Sequence, residues 1–324
     1  MTRFHIQIGR YCVVFMLALL LAAPLNAQVS LRKALDFDGD GKADWSIFRP
    51  STNTWWILGS KNFSITGQEF GNATTDFLTP GDFDGDGKGD IAVWRETNGT
   101  WFVLKSSTNT ISTFVWGASG DEPVARDYDG DGKTDYAVAR RTGGNMLWYI
   151  YQSSNNAVAA YQWGLSTDFV APGDFDGDGK FDIAVQRTGP TATSPLSWFI
   201  YASTEGVKAF DYGITTDEFV PGDYDGDGRT DIAVVRAGPT PSSELAWYIL
   251  RSSSSFFDIW AVGYGVSGTD VVVQNDYDGD GKTDLAVWRS TTGAWYTLNS
   301  TNFQTQAIGW GVSTDEPIPG YDTH

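Results

Sequence analysis

The sequence has very few of the residues that cross-link secreted proteins or activate enzymes. It contains one cysteine, Cys12, and two histidines, His5 and His324. A disulfide framework is excluded, and because the histidines lie at the two extreme ends of the chain, so are histidine-based triads and histidine-ligated zinc sites. Basic residues number 22 against 40 acidic residues. The formal net charge of −18 argues against nucleic acid or an anionic membrane as a partner.

Long apolar runs are also missing, except near the N-terminus. Residues 1–27 combine Arg3 and Arg10 with the apolar stretch "YCVVFMLALLLAAPL" and end in "LNA". This order is typical of a secretory signal peptide, and an uncleaved N-terminal anchor is the alternative. We therefore expect a secreted protein, extracellular or at the cell surface with the periplasm as a further possibility, whose mature part (28–324) has no membrane span and no thiol.

The most abundant feature of the sequence is a repeated acidic motif, written "DFDGDGKGD" at 82–90. Six copies occur, 45 to 53 residues apart, and they contain 24 of the 40 acidic residues. They begin at Asp36, Asp82, Asp127, Asp174, Asp223 and Asp276. A period of this size indicates a repeat architecture in which each unit packs against its neighbours.

Three further landmarks recur in a constant order after each motif. An arginine stands five residues after the last aspartate, at Arg49, Arg95, Arg140, Arg187, Arg236 and Arg289. A tryptophan followed by a second aromatic residue comes next, beginning at Trp55, Trp101, Trp148, Trp198, Trp247 and Trp295. An aromatic residue followed by glycine ends each unit, with the glycines at Gly71, Gly117, Gly164, Gly213, Gly265 and Gly311.

Each unit offers four short runs of β-branched and aromatic residues between turn formers. In the second unit these are "FLTPGD", "IAVWR", "TWFVL" and "STFVWG". Such runs predict strands, and four-stranded antiparallel units at this period predict an all-β fold, a β-propeller of six blades. The longer stretches 187–197 and 236–246 are expected as loops between the second and third strands.

The C-terminal "TDEPIPGYDTH" matches the segment that precedes the other motifs and stops where a seventh motif would begin. An orphan strand would leave an exposed edge. We therefore expect residues 318–322 to complete the first blade beside Trp45–Arg49, displacing or flanking "VSLRKAL". The alternative is a seventh, partial blade.

The acidic motif has the composition of a cation-binding loop. Oxygen donors without histidine or cysteine favour Ca²⁺ over transition metals, and flexible carboxylates suit it better than Mg²⁺. In the second unit the expected ligands are Asp82, Asp84, Asp86, Asp90 and the carbonyl oxygen of Lys88. An EF-hand is excluded because its twelfth position needs glutamate, and valine or isoleucine stands there in all six copies. A solvated acidic turn is the alternative. Six Ca²⁺ ions would reduce the net charge to about −6.

With these motifs the chain resembles the FG-GAP or VCBS repeats, whose blades build integrin-type propellers. The resemblance covers about 30–322 and includes Phe70-Gly71 and the "PGD" that precedes three of the motifs. It implies a single propeller domain over 28–324, with a calcium loop between the first and second strand of each blade. The implied ligands are Asp36, Asp38, Asp40, Lys42, Asp44, Asp82, Asp84, Asp86, Lys88, Asp90, Asp127, Asp129, Asp131, Lys133, Asp135, Asp174, Asp176, Asp178, Lys180, Asp182, Asp223, Asp225, Asp227, Arg229, Asp231, Asp276, Asp278, Asp280, Lys282 and Asp284.

For function, the sequence favours a non-catalytic binding or adhesion module that acts as a monomer. Equivalent pockets at the blade junctions would use the six repeated arginines with Trp55, Trp101, Trp148, Trp198, Trp247 and Trp295 to hold a glycan. The resemblance supports this, since some propeller lectins of the family bind sugars between blades, whereas integrin heads bind proteins.

Three alternatives remain at this stage. The tryptophans are equally suited to packing between blades, and the arginines to structural bonds with neighbouring loops. A protein ligand is the second candidate for the binding function. A carboxylate-based polysaccharide-degrading enzyme is the third, although the acidic residues outside the motifs show no cluster in the sequence.

Overall fold

Each of the six repeats folds into one four-stranded antiparallel sheet, and the sheets form a six-bladed β-propeller. The computed structural model describes residues 34–256 and 258–318. The expected all-β fold with six blades is confirmed, and the alternative of a seventh blade is wrong for these residues. The predicted signal peptide lies outside them. In the described part of the chain, no helix is long and apolar enough to cross a membrane.

The blades follow one another along the chain, apart from the first strand of blade 1, which comes from the C-terminal end. Blade 1 contains β24 (Glu316–Pro317), β1 (Trp45–Arg49), β2 (Thr54–Leu58) and β3 (Ile65–Glu69), with a short 3-10 turn at Pro50–Thr52. Blade 2 contains β4 (Asp76–Leu78), β5 (Ile91–Arg95), β6 (Thr100–Leu104) and β7 (Ile111–Val115). Blade 3 contains β8 (Asp121–Pro123), β9 (Tyr136–Thr142), β10 (Asn145–Tyr151) and β11 (Val158–Leu165).

The last three blades have the same order of strands. Blade 4 contains β12 (Phe169–Val170), β13 (Ile183–Arg187), β14 (Pro195–Ala202) and β15 (Gly206–Ile214). Blade 5 contains β16 (Glu218–Phe219), β17 (Ile232–Arg236), β18 (Glu244–Arg251) and β19 (Asp258–Val266). Blade 6 contains β20 (Asp270–Val272), β21 (Leu285–Arg289), β22 (Ala294–Leu298) and β23 (Thr305–Gly309).

The strands form where β-branched and aromatic residues are concentrated. In blade 2 the predicted second and third strands coincide with β5 and β6. The first strand is shorter than predicted, because β4 ends before Pro80, whose ring nitrogen has no hydrogen to donate to the sheet. The long stretches 187–197 and 236–246 connect the second and third strands of blades 4 and 5, as expected. They therefore lie at the end of the blades opposite to the acidic motifs.

Both faces of each blade are buried against neighbouring blades. In blade 2, Trp94 and Trp101 occupy one face and are completely buried, while Val93 lies on the other. Val93 contacts Gly71 of the preceding repeat so closely that a Cβ on that glycine would lie 2.9 Å from a methyl group of Val93. Gly71 has φ +87°, which a residue with a side chain rarely adopts. The aromatic-glycine landmark is thus a contact between blades.

The ring closes through the C-terminal strand, as predicted, although the pairing begins earlier than expected. Glu316 and Pro317 pair with Phe48 and Ile47 of β1, and the N–H of Ile318 donates to the carbonyl oxygen of Ser46 at 2.9 Å. The residues from 319 onward lie outside the described part. The first strand of blade 1 is therefore supplied by the C-terminal segment, whereas most of "VSLRKAL" lies outside the described residues.

We predict that Ile318→Ala destabilises the whole propeller. Ile318 is completely buried, and truncating such a side chain costs about 2–5 kcal/mol. Ile111→Ala is the matched control, because Ile111 lies on an outer strand and is mostly exposed; it should cost below about 1 kcal/mol. Urea unfolding of both variants checks this, and equal losses would contradict a closing role for the segment.

Candidate functional site

The six acidic motifs form six equivalent loops that enclose their own carboxylates. They are named loop 1 (36–44), loop 2 (82–90), loop 3 (127–135), loop 4 (174–182), loop 5 (223–231) and loop 6 (276–284). In loop 2, Asp82 accepts hydrogen bonds from the N–H groups of Gly85 and Gly87, at 2.7 and 3.0 Å. Asp90 accepts one from the N–H of Phe83 at 2.9 Å. Backbone donors therefore turn inward on the first and last aspartates, and this pattern recurs in all six loops.

A serine from the turn between the third and fourth strands completes each loop. Ser106 donates its N–H to Asp90 at 2.7 Å and its hydroxyl to Asp86 at 3.0 Å. The same two bonds are made by Ser60, Ser153, Ser203, Ser252 and Ser300. These serines were not predicted as site residues from the sequence, although each stands five residues after the tryptophan of its repeat. The constant offset was the available signal.

The carboxylates are close enough to share one cation. In each of loops 1 to 5, three aspartates offer one oxygen each, and these three oxygens lie within 4.8 Å of one another. One oxygen of Asp38 and one of Asp176 are buried without a hydrogen-bond partner. Buried carboxylate oxygens are costly unless something satisfies them. The donor set, consisting of oxygens only, therefore fits a hard divalent cation.

Burial changes the protonation of the loop aspartates. The first and ninth positions are almost inaccessible to solvent, and at the residues named next burial raises the pKa of the carboxyl group because the charged form is poorly solvated. The pKa is raised at Asp36, to about 6 at Asp90 and Asp127, and to about 7 at Asp44, Asp135, Asp174, Asp182, Asp223, Asp231 and Asp284. At Asp176 burial also acts upward, but hydrogen bonds from Thr204 and Glu205 outweigh it and lower the pKa.

The six repeated arginines form ion pairs with a second set of aspartates, whose carboxylates are buried while the arginines remain partly exposed. Arg95 binds Asp76 through two parallel hydrogen bonds of 2.7 and 2.8 Å, and its guanidinium lies 4.6 Å from the ring centre of Phe102. The equivalent pairs are Arg49–Asp315, Arg140–Asp121, Arg187–Asp168, Arg236–Asp217 and Arg289–Asp270. The acidic residues outside the motifs are therefore not scattered. Five of these aspartates stand six residues before a motif, so their positions follow the repeat, although they were not predicted as a set from the sequence.

The six repeated tryptophans are core residues. Trp55, Trp101, Trp148, Trp198, Trp247 and Trp295 have at most 1% of their surface exposed. Each donates its indole N–H to the carbonyl oxygen of the aromatic-glycine landmark, as Trp101 does to Trp116 at 2.9 Å. Their position matches the packing alternative. The arginines share a face instead with the second aromatic residue of each pair, namely Trp56, Phe102, Tyr149, Phe199, Tyr248 and Tyr296.

One blade junction contains an open, mostly apolar pocket. It lies between blades 6 and 1, has a volume of about 240 Å³, and is lined by Arg49, Trp56, Ile65, Trp310 and Val312, among others. Among the six aromatic residues that directly follow the repeated tryptophans, Trp56 is the only tryptophan. It pairs with Gly67 on β3. A Cβ on Gly67 would lie 2.7 Å from the Trp56 ring. The other blades have threonine or alanine opposite a smaller aromatic residue.

A second cavity, of about 210 Å³, lies between blades 1 and 2 and has a different character. Asp38 and Asp44 of loop 1 line one side of it, and Lys88 and Lys105 of blade 2 line the other. Two of these residues are candidate cation ligands, and Lys88 belongs to the next loop. This cavity is therefore a part of the surroundings of loop 1.

These features define a class: a six-bladed propeller with an acidic, cation-compatible loop in each repeat. The sequence comparison agrees. Two stretches, 36–93 and 127–185, match the FG-GAP-like repeat family. The chain therefore carries FG-GAP-like repeats, and the resemblance is confirmed. Among curated protein sequences nothing matches significantly.

Several solved structures are similar in fold. A lectin from Agrocybe aegerita, described as recognising non-reducing terminal N-acetylglucosamine, is 14% identical, with 82% of this chain and 89% of the lectin covered and a TM-score of 0.48. A mutant of AofleA from Arthrobotrys oligospora is 10% identical, with coverages of 89% and 88% and a TM-score of 0.47. The rhamnogalacturonan lyase YesW is 13% identical, with coverages of 83% and 67% and a TM-score of 0.36. At such TM-scores these similarities carry no argument about ligand or activity.

We predict that Arg289→Gln destabilises the protein by about 2–3 kcal/mol. The substitution leaves Asp270 buried without its cation, and breaking a buried pair costs about 3–5 kcal/mol. We expect a smaller loss than this because the Arg289 side chain is 27% exposed, so solvent screens the ion pair. Arg251→Gln is the control, because the Arg251–Asp258 pair is more exposed and should contribute below about 1 kcal/mol. Comparable losses in denaturant unfolding would contradict a structural role for the repeated pair.

Proposed function

We propose that the protein is a secreted, calcium-stabilised propeller that binds a glycan without catalysing its cleavage. The observation that carries the binding function is the pocket between blades 6 and 1. Its volume of about 240 Å³ lies below the ~300–1,000 Å³ of sites for drug-sized ligands. The pocket therefore has room for one sugar ring at the end of a glycan.

The chemistry of the pocket suits a sugar. Trp56 and Trp310 supply aromatic surface, on which the apolar face of a sugar ring packs. Asp315 holds Nε and Nη2 of Arg49 at 2.7 and 2.8 Å, which fixes the plane of the guanidinium. The remaining nitrogen, Nη1, then presents donors to a sugar hydroxyl or an acidic substituent in a preset orientation.

Calcium is the cation that best fits the loops. All the donors are oxygens, and the six loops are equivalent. The aspartates of each loop and the carbonyl oxygen of its seventh residue would hold the ion, and its charge would neutralise them. At ten times a dissociation constant of roughly 10⁻⁴ to 10⁻³ M, six independent sites add about 8 kcal/mol. This rivals the whole stability of an ordinary domain, ~5–15 kcal/mol, so calcium takes the place of the missing disulfides.

We predict that calcium raises the melting temperature, and that the rise is larger at pH 8 than at pH 5. In chelator, the buried aspartates have folded pKa values near 6–7, above an unfolded value of about 3.9. Their contribution to stability is present at low pH and is lost as the pH rises through 6–7. At pH 5 protons also compete with the ion. Calorimetric scans with chelator or with millimolar calcium check this, and a melting temperature that calcium leaves unchanged at pH 8 would contradict it.

A protein ligand is the second candidate, and a different surface favours it. Five blades expose a β-branched aliphatic residue at the same register of the outer strand: Ile65, Ile111, Val158, Val207 and Ile259. Each is more than half exposed. A regular apolar row of this kind is a common feature of protein interaction surfaces.

We predict that the purified protein gives hits on a glycan array in calcium, and that Val312→Asp removes them. Val312 lies at the pocket and is 48% exposed, so a carboxylate there would compete for Arg49 without disturbing the core. The loss should be at least about tenfold in affinity, the effect of one wrong contact in an apolar pocket.

Val115→Asp is the matched control, because Val115 is exposed on blade 2, away from the pocket. Equal losses in the two variants would contradict the pocket assignment. An array without hits, together with a protein partner captured by the outer strands, would overturn the glycan proposal. Release of sugar from an array hit would overturn the non-catalytic part.

A further inference from the structure

The six loops contact one another in a closed circle. The N–H of the eighth residue of each loop donates to the carbonyl oxygen of the first aspartate of the preceding loop. The bonds run from Gly89 to Asp36, Thr134 to Asp82, Phe181 to Asp127, Thr230 to Asp174, Thr283 to Asp223 and Ala43 to Asp276, with lengths of 2.6–2.8 Å. The last of them connects loop 1 to loop 6. The circle of loops therefore closes independently of the C-terminal strand.

A side-chain contact accompanies every one of these bonds. The seventh residue of each loop extends over the fourth residue, a glycine, of the preceding loop. A Cβ on Gly85, for example, would lie 2.6 Å from Cε of Lys133. The other pairs are Gly39 with Lys88, Gly130 with Lys180, Gly177 with Arg229, Gly226 with Lys282 and Gly279 with Lys42. A larger residue at any of these glycines would strain the turn, where φ is positive, and would push the neighbouring side chain aside.

The residues before the loops are matched to the neighbouring loop as well. Where glycine precedes a loop, as at Gly81, Gly173 and Gly222, a threonine at the eighth position of the next loop fills the space. Where Arg126 takes the glycine's place, the next loop has Phe181, and the guanidinium lies 5.9 Å from its ring centre. The departure from "PGD" before loop 3 is therefore accompanied by a different contact with the next loop.

From this circle we infer that the six loops bind calcium cooperatively, each ion strengthening the binding of the next. The inference rests on the proposed calcium sites and concerns how they are linked. The first aspartate of one loop is a candidate ligand, and its carbonyl oxygen holds the eighth residue of the next loop. That residue directly precedes the ninth aspartate, a ligand of the next ion. Ordering one loop therefore helps to order the seventh to ninth residues of the next, so the second ion binds to a site that is already partly arranged.

The coupling has a measurable size. Couplings between sites typically change affinity by about 5- to 150-fold. A calcium titration of the full protein by isothermal calorimetry and equilibrium dialysis should therefore give about six ions per chain and a Hill coefficient above 1. Calcium alone is the probe, so the result does not depend on the identity of the glycan.

Lys133→Ala tests the side-chain contact between loops 2 and 3. The substitution keeps the backbone carbonyl oxygen of residue 133 and removes the part of the side chain that covers Gly85. We expect the Hill coefficient to fall while the stoichiometry stays at six. Lys61→Ala is the control, because Lys61 has the same charge, is exposed and binds loop 1 through its backbone N–H only. The control should titrate like the unaltered protein.

A second variant acts on a metal site itself. Asp84→Asn together with Asp86→Asn removes two exposed or half-buried carboxylates of loop 2, and circular dichroism checks that the chain still folds. In hydrogen-exchange mass spectrometry at increasing calcium, peptides of loops 1 and 3 should need at least about fivefold more calcium for protection than in the unaltered protein. Peptides of loop 5, on the opposite side of the circle, should change least.

The outcomes separate the two proposals. Six ions with a Hill coefficient of 1, unaffected by Lys133→Ala and by the loop 2 variant, would overturn the coupling and leave the calcium sites in place. No calcium uptake at millimolar concentration would overturn both. If Lys61→Ala reduces the Hill coefficient as much as Lys133→Ala does, the coupling reflects a general charge effect. The inference from the contact between loops would then be wrong.

Discussion

A blade of this protein has two apolar faces, and it is stable only when a neighbour covers each of them. Val93 on one face of blade 2 lies against Gly71, and Trp94 and Trp101 fill the other. No blade of this kind could be the last in an open row without exposing one such face. The circle must therefore close, and the chain closes it twice: once with β24 beside β1, and once with the bond from Ala43 to Asp276.

Aspartate performs two different tasks in this closed circle, and the surroundings of each carboxylate decide which. Asp76 and its equivalents each accept two hydrogen bonds from an arginine, so the buried carboxylate has a cationic partner within the protein. Asp90 and Asp135 face backbone N–H groups and other carboxylates, so burial raises their pKa to about 6 and 7. The first kind is satisfied by the protein alone. The second kind leaves charge for an external cation, which is why the loops and not the ion pairs are the candidate metal sites.

The repeats are regular where they hold the fold and irregular where a ligand would bind. Serine, arginine and tryptophan keep their positions and contacts in all six units. Blade 1 departs from the pattern at Trp56 and Gly67, and the departure lies at the pocket between blades 6 and 1. A larger aromatic ring opposite a glycine changes the shape of one junction without altering the bonds that hold the others. Function at a single junction is therefore compatible with a stable repeat.

The all-β class, the six repeats, the strands that follow the motifs and the acidic loops could all be predicted from the sequence, because they depend on local spacing and composition. IAVWR at 91–95 is a strand in the structure at the residues predicted. Which residues contact one another depends on the three-dimensional packing of the blades. Asp76 and Arg95 are 19 positions apart, and Asp315 and Arg49 are 266 apart; the repeat period shows that the arginines and most of the aspartates recur, but not that they pair. Burial of Trp101 and the contact of Lys133 with Gly85 likewise depend on how blades and loops pack side by side, which is a property of the closed circle and not of any one repeat.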